Sequence, residues 1–283
     1  MSTYLADAAE NLTVEGPSAT FTYRRIGPRG GIPLVLLNRV RGTVDWWDPE
    51  FLDHLAAGHD VIVFDDIGHG YTTGEPRDSV EGFADGAVEF IEALGLPQVD
   101  LLGWTLGGTV AQHITRTRPD LVRKLVVAAA NPGGTVPGAP APDEKVRATM
   151  IKPEVTADDL VFLFFPETDA GRAAGYAYLS RVATRLAAGG PGVSEAAGLG
   201  QITAIAKDAS IPFEQVRADL ETIKHPVLYA TGMRDAMIPA LASYTAVQHV
   251  TNATLVTYSD AGHGFLFQHA RDFAAQVSAF LAD

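Results

Sequence analysis

Gly103-Trp104-Thr105-Leu106-Gly107-Gly108 is the stretch on which the fold of this chain turns. It follows a short apolar run, 99–102, and opens an amphipathic stretch, 106–118, so it lies where a strand gives way to a helix. An elbow this tight forces its central residue, Thr105, into a strained conformation and lifts the side chain above the sheet. Glycines flank it because Cβ atoms there would collide. The helix behind the elbow aims its N-terminus and free backbone N–H groups at the same space, where a developing oxyanion would be stabilised. The N–H of Leu106 is the first expected donor.

Outward from the elbow the pattern repeats. Residues 20–26 alternate polar and apolar as a half-buried outer strand does, whereas 33–37, 61–64, 125–129 and 226–230 are continuous apolar runs suited to a parallel sheet covered on both faces. A last strand is expected at 253–257. Helical periodicity marks 49–57, 79–94, 241–249 and 270–281, with Ser79 placed to cap the second of these. Alternating strands and helices predict an α/β fold with a mostly parallel, doubly wound sheet. The alternation fails after Gly133-Gly134-Thr135-Val136-Pro137-Gly138-Ala139-Pro140, where helical stretches run on, broken by Gly189-Gly190-Pro191-Gly192. The expectation is a core of residues 1–134 and 213–283 carrying an inserted helical lid at 135–212.

Composition narrows the chemistry. The 283 residues are 47% hydrophobic, enough for a sizeable core. A net charge of −13 argues against nucleic acid and anionic membranes as partners, and the absence of cysteine removes disulfides and thiolate sites. Residues 1–16 lack the basic start and apolar run of a secretory signal, and no apolar run reaches membrane-spanning length, so the expected location is cytoplasmic. The histidines at 54, 59, 225, 249 and 269 have no metal-ligand spacing, and no dinucleotide or P-loop motif is present, so neither a metal nor a cofactor is expected. Nothing in the sequence sets an oligomeric state.

The elbow resembles the nucleophile turn of the α/β-hydrolase superfamily, with threonine in place of the usual serine, and the resemblance extends over nearly all of the chain. Two further segments match. Thr231-Gly232-Met233-Arg234-Asp235-Ala236-Met237-Ile238-Pro239 is similar to the family's acid-bearing turn, and Asp260-Ala261-Gly262-His263-Gly264-Phe265 to its histidine loop. The resemblance therefore implies a nucleophile, acid and histidine in the order Thr105, Asp235, His263, with Asp260 as the runner-up acid. Such a hydroxyl needs an imidazole to take its proton and a carboxylate to orient that imidazole. Where the family has a His-Gly pair after its third strand this chain has Asn38-Arg39, which implies the N–H of Val40 as second oxyanion donor, Arg39 as its neighbour and Asn38 as the residue that orients the loop. His69, in Asp65-Asp66-Ile67-Gly68-His69-Gly70, is expected to shape the pocket, and His113 to pack.

Lid aromatics, with Trp46, Trp47 and Trp104, predict an apolar cleft in which Asn38, Arg39, Trp104, Phe162 and Phe165 contact the ligand. The resulting expectation is a cofactor-independent hydrolase of a moderately hydrophobic ester or lactone. Three readings of Thr105 stay open: a working nucleophile, a site that has left acyl-enzyme chemistry, or an engineered Ser→Thr change. The superfamily also contains lyases, perhydrolases, cofactor-free oxygenases and cyclases, in which the histidine would act as base. A binding protein without turnover is the alternative of a different class. The resemblance disfavours epoxide hydrolase and dehalogenase activity, which use a carboxylate at the elbow.

Overall fold

The computed structural model describes residues 4–282. Residues 1–3, at the head of the stretch read above for a leader, and residue 283 lie outside the described residues. The chain runs through α1 (Leu5–Ala8), β1 (Leu12–Glu15), β2 (Thr20–Ile26), β3 (Leu34–Leu37), a short 3-10 helix (Val44–Trp46), α2 (Pro49–Ala56), β4 (Val61–Phe64), α3 (Val80–Ala93), β5 (Val99–Trp104), α4 (Leu106–Thr117) and β6 (Val122–Ala128). Helices α5 (Glu144–Met150), α6 (Ala157–Phe164), α7 (Asp169–Leu186), α8 (Glu195–Ala209) and α9 (Phe213–Thr222) follow. The chain ends with β7 (Val227–Gly232), α10 (Ala240–His249), β8 (Ala253–Tyr258), α11 (Phe265–Gln268) and α12 (Ala270–Ala282).

The strands form one sheet in the order β1-β2-β4-β3-β5-β6-β7-β8. Pairing is antiparallel at β1–β2 and β2–β4 and parallel from β4 onward. Alternation along each strand divides the core in two. Leu34, Leu36, Val63, Leu102 and Val126 face a layer with α2, α11 and α12, while Val35, Leu37, Ile62, Leu101 and Val127 face α3, α4 and α9. Runs buried on both faces read as continuous apolar sequence for this reason. Ser79 caps α3 by accepting the Gly82 N–H, as its place in the sequence predicts.

Two departures from the sequence reading have identifiable causes. Strand β6 opens at Val122, ahead of the run at 125–129, because its two charged residues are partnered: Arg123 pairs with Asp100 and Lys124 Nζ donates to the Phe280 carbonyl. Strand β1 has no apolar run at all. It is a largely exposed edge whose burial pattern carries no alternation to read.

Between β6 and β7 the chain is helical; Val146 of α5, Leu160, Leu163 and Phe164 of α6 and Tyr178 and Val182 of α7 join the first core layer, and polar bonds from α7 add to that packing. Tyr178 Oη donates to the Trp46 carbonyl (2.9 Å), Arg181 grips Asp48, and Arg185 reaches the Ala6 carbonyl (2.9 Å). These three side chains lie along one face of α7. A Cβ at Gly190 would fall 2.2 Å from Tyr71 Oη, and one at Gly200 2.4 Å from the Arg77 carbonyl, so small residues let this segment close on the loop after β4.

Candidate active site

Thr105 joins β5 to α4 with φ 53° and ψ −115°, a left-handed conformation that costs a β-branched residue on the order of 1–3 kcal/mol. The turn is held by its own backbone: Thr105 N–H donates to the Ala128 carbonyl, and its carbonyl accepts from Gly108 and Thr109. Three glycines make the close approach feasible. A Cβ at Gly103 would lie 2.1 Å from the Gly107 carbonyl oxygen, one at Gly107 2.3 Å from that of Leu37, and one at Gly108 2.5 Å from the Ala130 Cβ. Backbone N–H groups of Leu106 and Val40 have no acceptor among the described residues. Both sit at loops that converge on the elbow, one opening α4 and the other following β3.

His263 lies in the loop after β8 and is completely buried. Its Nδ1 is 2.7 Å from Asp235 Oδ2. Asp235 Oδ1 accepts the N–H groups of Met237 (2.8 Å) and Ile238 (2.9 Å), so the turn after β7 fixes the carboxylate and leaves one oxygen for the imidazole. That pairing assigns the Nδ1–H tautomer and leaves Nε2 buried without a partner. No hydrogen bond joins Thr105 Oγ1 to His263 in this structure. Asp260, the alternative acid, is exposed and bonded to His269 Nε2 (3.0 Å).

The histidine loop is wedged between aromatic rings. Trp104 Nε1 donates to the His263 carbonyl (3.2 Å), and the Gly264 N–H donates to the Phe164 carbonyl (2.6 Å). Ring centroids of Trp104 and Phe164 stand 5.5 and 5.6 Å from the imidazole. Phe165, buried, packs on Gly264 and stands 6.0 Å from the Tyr178 ring, behind the loop. Phe162, expected at the ligand, lies instead under Lys145 Nζ, 3.8 Å from the ring centroid. Leu160, Val161, Leu163 and Phe164 form the buried face of α6, and Phe162, partly buried, packs at its margin. Phe164 is thus the residue that the sequence reading missed, and the phase of α6 would have found it.

The loop after β3 is held at its first residue. Asn38 Nδ2 donates to the Phe64 carbonyl (2.6 Å) and its Oδ1 accepts from Trp47 Nε1 (2.7 Å), so both ends of the amide serve the framework. Gln201 of α8, also missed, accepts the Arg41 N–H through Oε1 (2.8 Å) and steadies the loop from above. It lies on the buried face of α8 with Ala197 and Ala204, a polar residue in a stripe of small ones. Arg39 is buried, and burial pulls its pKa down from the ordinary guanidinium value. Its guanidinium carbon stands 5.0 Å from the Trp46 ring centroid, 5.1 Å from Phe164 and 5.7 Å from Trp104.

Two neighbouring histidines stay outside this cluster. His69 is buried with Nδ1 on the Ile67 carbonyl (3.0 Å) and its ring against Phe83, and burial holds its pKa below the usual imidazole range. His113 contacts Arg116 on the outer face of α4 (3.1 Å). Among the described residues no group of three or more His, Asp or Glu side chains is arranged around a metal-sized site, and no helix is long and apolar enough to cross a membrane.

The sequence profile of the alpha/beta hydrolase fold matches residues 31–270. A non-heme chloroperoxidase of Streptomyces lividans is 29% identical, over 92% of this chain and 95% of its own length. A pimeloyl-acyl-carrier-protein methyl ester esterase of Xanthomonas campestris is 27% identical, over 82% and 88%. Among solved structures, an alpha/beta hydrolase fold protein from Chitinophaga pinensis superposes with a TM-score of 0.87 at 31% identity, covering 98% of each chain.

Proposed function

Because the chain belongs to the alpha/beta hydrolase fold family, we propose that it hydrolyses carboxylic esters or lactones, with Thr105 as nucleophile, His263 as base and Asp235 as the acid that orients it. The observation that carries this reading is the 2.7 Å contact between His263 Nδ1 and a fully held Asp235 carboxylate, which leaves Nε2 unpartnered. The Thr105 hydroxyl, after rotation of its side chain, gives its proton to Nε2 while Oγ1 attacks the substrate carbonyl carbon. The N–H groups of Leu106 and Val40 then stabilise the oxyanion. As the tetrahedral species collapses, Nε2–H protonates the departing alkoxide, and a water activated by the same nitrogen cleaves the acyl-threonine. The relative named as a methyl ester esterase supports the ester class. Helices α5 to α8 serve as the lid that excludes water.

Hydrolysis of p-nitrophenyl acetate and butyrate and of γ-butyrolactone tests this. His263→Ala should lose on the order of a thousandfold in kcat/KM, and Asp235→Asn about a hundredfold or more. Unchanged hydrolysis in His263→Ala would sink the reading.

One observation favours a second reading. Thr105 Oγ1 makes no hydrogen bond to His263, whose Nε2 has no partner, so the imidazole could act as a general base without a covalent step. Retained turnover in Thr105→Val would select this reading. Loss in Thr105→Val with a gain in Thr105→Ser would select the nucleophile.

A further inference from the structure

Arg39 carries a charge that the fold leaves without a counter-ion. The residue is 6% exposed, and its acceptors are neutral: the neighbouring Val40 carbonyl, 2.6 Å from Nη1, and the Tyr178 hydroxyl. Nε is buried with no partner. The charged and titratable groups that face it are Tyr178 and Arg41, neither of them an anion at neutral pH, and Tyr178 is held protonated by burial. Arg41 adds positive charge, although its own guanidinium turns away to the Lys152 carbonyl (2.7 Å). Two other inward guanidiniums are neutralised, Arg24 by Asp45 and Arg181 by Asp48, while the half-buried Arg185 has two backbone carbonyls, those of Ala6 and Ala9. Aromatic faces and the Tyr178 hydroxyl ease the burial of Arg39 but supply no counter-charge.

The position matters as much as the charge. Trp104 and Phe164, which form two walls of the guanidinium, are also the rings that flank His263. Trp104 is adjacent in sequence to Thr105, and Arg39 to Val40. Arg39 and His263 thus share two aromatic walls.

We propose that Arg39 receives a carboxylate of the substrate, so that the site takes short acyl compounds that carry a free carboxylate beyond the reacting carbonyl. The inference deepens the hydrolase reading and rests on it for the word substrate. The planar fork of a guanidinium presents paired N–H donors that match the two oxygens of a carboxylate. A single cation between three aromatic rings suits a singly charged, planar anion, not a strongly hydrated dianion. Nonpolar surroundings strengthen the pairing by excluding competing water.

The experiment compares two inert probes that differ in one charge, N-methylglutaramate and N,N′-dimethylglutaramide, by calorimetric titration of the whole protein. The wild type should bind the anion at least tenfold more tightly. Arg39→Met should remove the preference, and Arg39→Lys, which keeps the charge and loses the fork, should retain part of it. Equal binding of the two probes by the wild type overturns the inference, as does a preference that survives Arg39→Met or tighter binding of inorganic phosphate than of N-methylglutaramate. The wild-type comparison and Arg39→Lys decide the matter if Arg39→Met does not fold. Hydrolysis of monomethyl and dimethyl glutarate separates the two claims. Charge-selective binding through Arg39 without hydrolysis of either ester removes the hydrolase reading alone. His263-dependent hydrolysis with no preference for monomethyl glutarate removes the carboxylate inference alone.

Discussion

Arg181 on α7 and Arg39 after β3 place guanidinium groups in the interior on two sides of the 3-10 helix that carries Trp46, and they are treated in opposite ways. Arg181 meets both oxygens of the fully buried Asp48 at 2.6–3.1 Å and adds the Phe267 carbonyl. Asp48 also caps α2 by accepting the Glu50 N–H, so its acceptor sites are filled from two directions. Arg39 meets one carbonyl, the Tyr178 hydroxyl and three ring faces, and no carboxylate. Burying an ion pair is itself expensive, but removing one member costs more, because the other charge is stranded. The Arg181–Asp48 pair is thus a strut of the fold, whereas at Arg39, which shares two aromatic walls with His263, the completing group is inferred to come from outside.

The comparison can be broken in stages, beginning with the largest effect. Arg181→Met strands the Asp48 carboxylate and should lower stability by about 3–5 kcal/mol in urea unfolding at pH 7. Combining it with Asp48→Asn should recover more than half of that loss, and a loss that stays undiminished in the double variant would mean that Arg181 acts through packing. Gln201→Ala leaves the Arg41 N–H without its acceptor. Expected effects are about 1–3 kcal/mol in stability and roughly tenfold in kcat/KM as Val40 loosens. Arg39→Met strands no carboxylate, so its stability should change by about 1 kcal/mol or less. A loss matching that of Arg181→Met would erase the distinction between the two arginines.

The last expected effect is a slope with pH. Burial raises the carboxyl groups of Asp65 and Asp66 to about 7 from an ordinary 3.8. Between these values the folded chain binds more protons than the unfolded one, so the stability they contribute is complete below the unfolded value and is lost as pH rises through about 7. Unfolding midpoints should fall from pH 5 to pH 8, and Asp66→Asn should flatten that fall. An unaltered slope in Asp66→Asn would assign it to other groups.

How much of this was legible in the sequence depended on whether a backbone contact or a side-chain contact did the fixing. The elbow could be read because Gly103, Gly107 and Gly108 stand where a Cβ has no room. The sheet could be read because strands covered on both faces must be continuously apolar. By contrast, the start of β6 depended on charged side chains partnered far along the chain, Arg123 by Asp100 and Lys124 by the Phe280 carbonyl near the end of α12. No local pattern announces such partners. The inserted helices were recognisable as helices, but their seating by Tyr178, Arg181 and Arg185 could not be foreseen from single polar residues. That Phe164 is the α6 ring against His263 follows from the phase of α6 once its buried face is known. The missing counter-ion of Arg39 could be seen only once its surroundings were assembled, since a sequence shows which charges exist and not which of them meet.

The central claim is that Thr105 is activated by His263 and Asp235 at a glycine-cleared elbow, and intact-protein mass spectrometry tests it most directly. The protein would be exposed to an apolar fluorophosphonate and to p-nitrophenyl acetate, with His263→Ala as control, and the modified peptide sequenced. The account predicts a single adduct on Thr105 that is absent from the folded His263→Ala variant. An adduct on another residue, or none in the folded wild type, would contradict it.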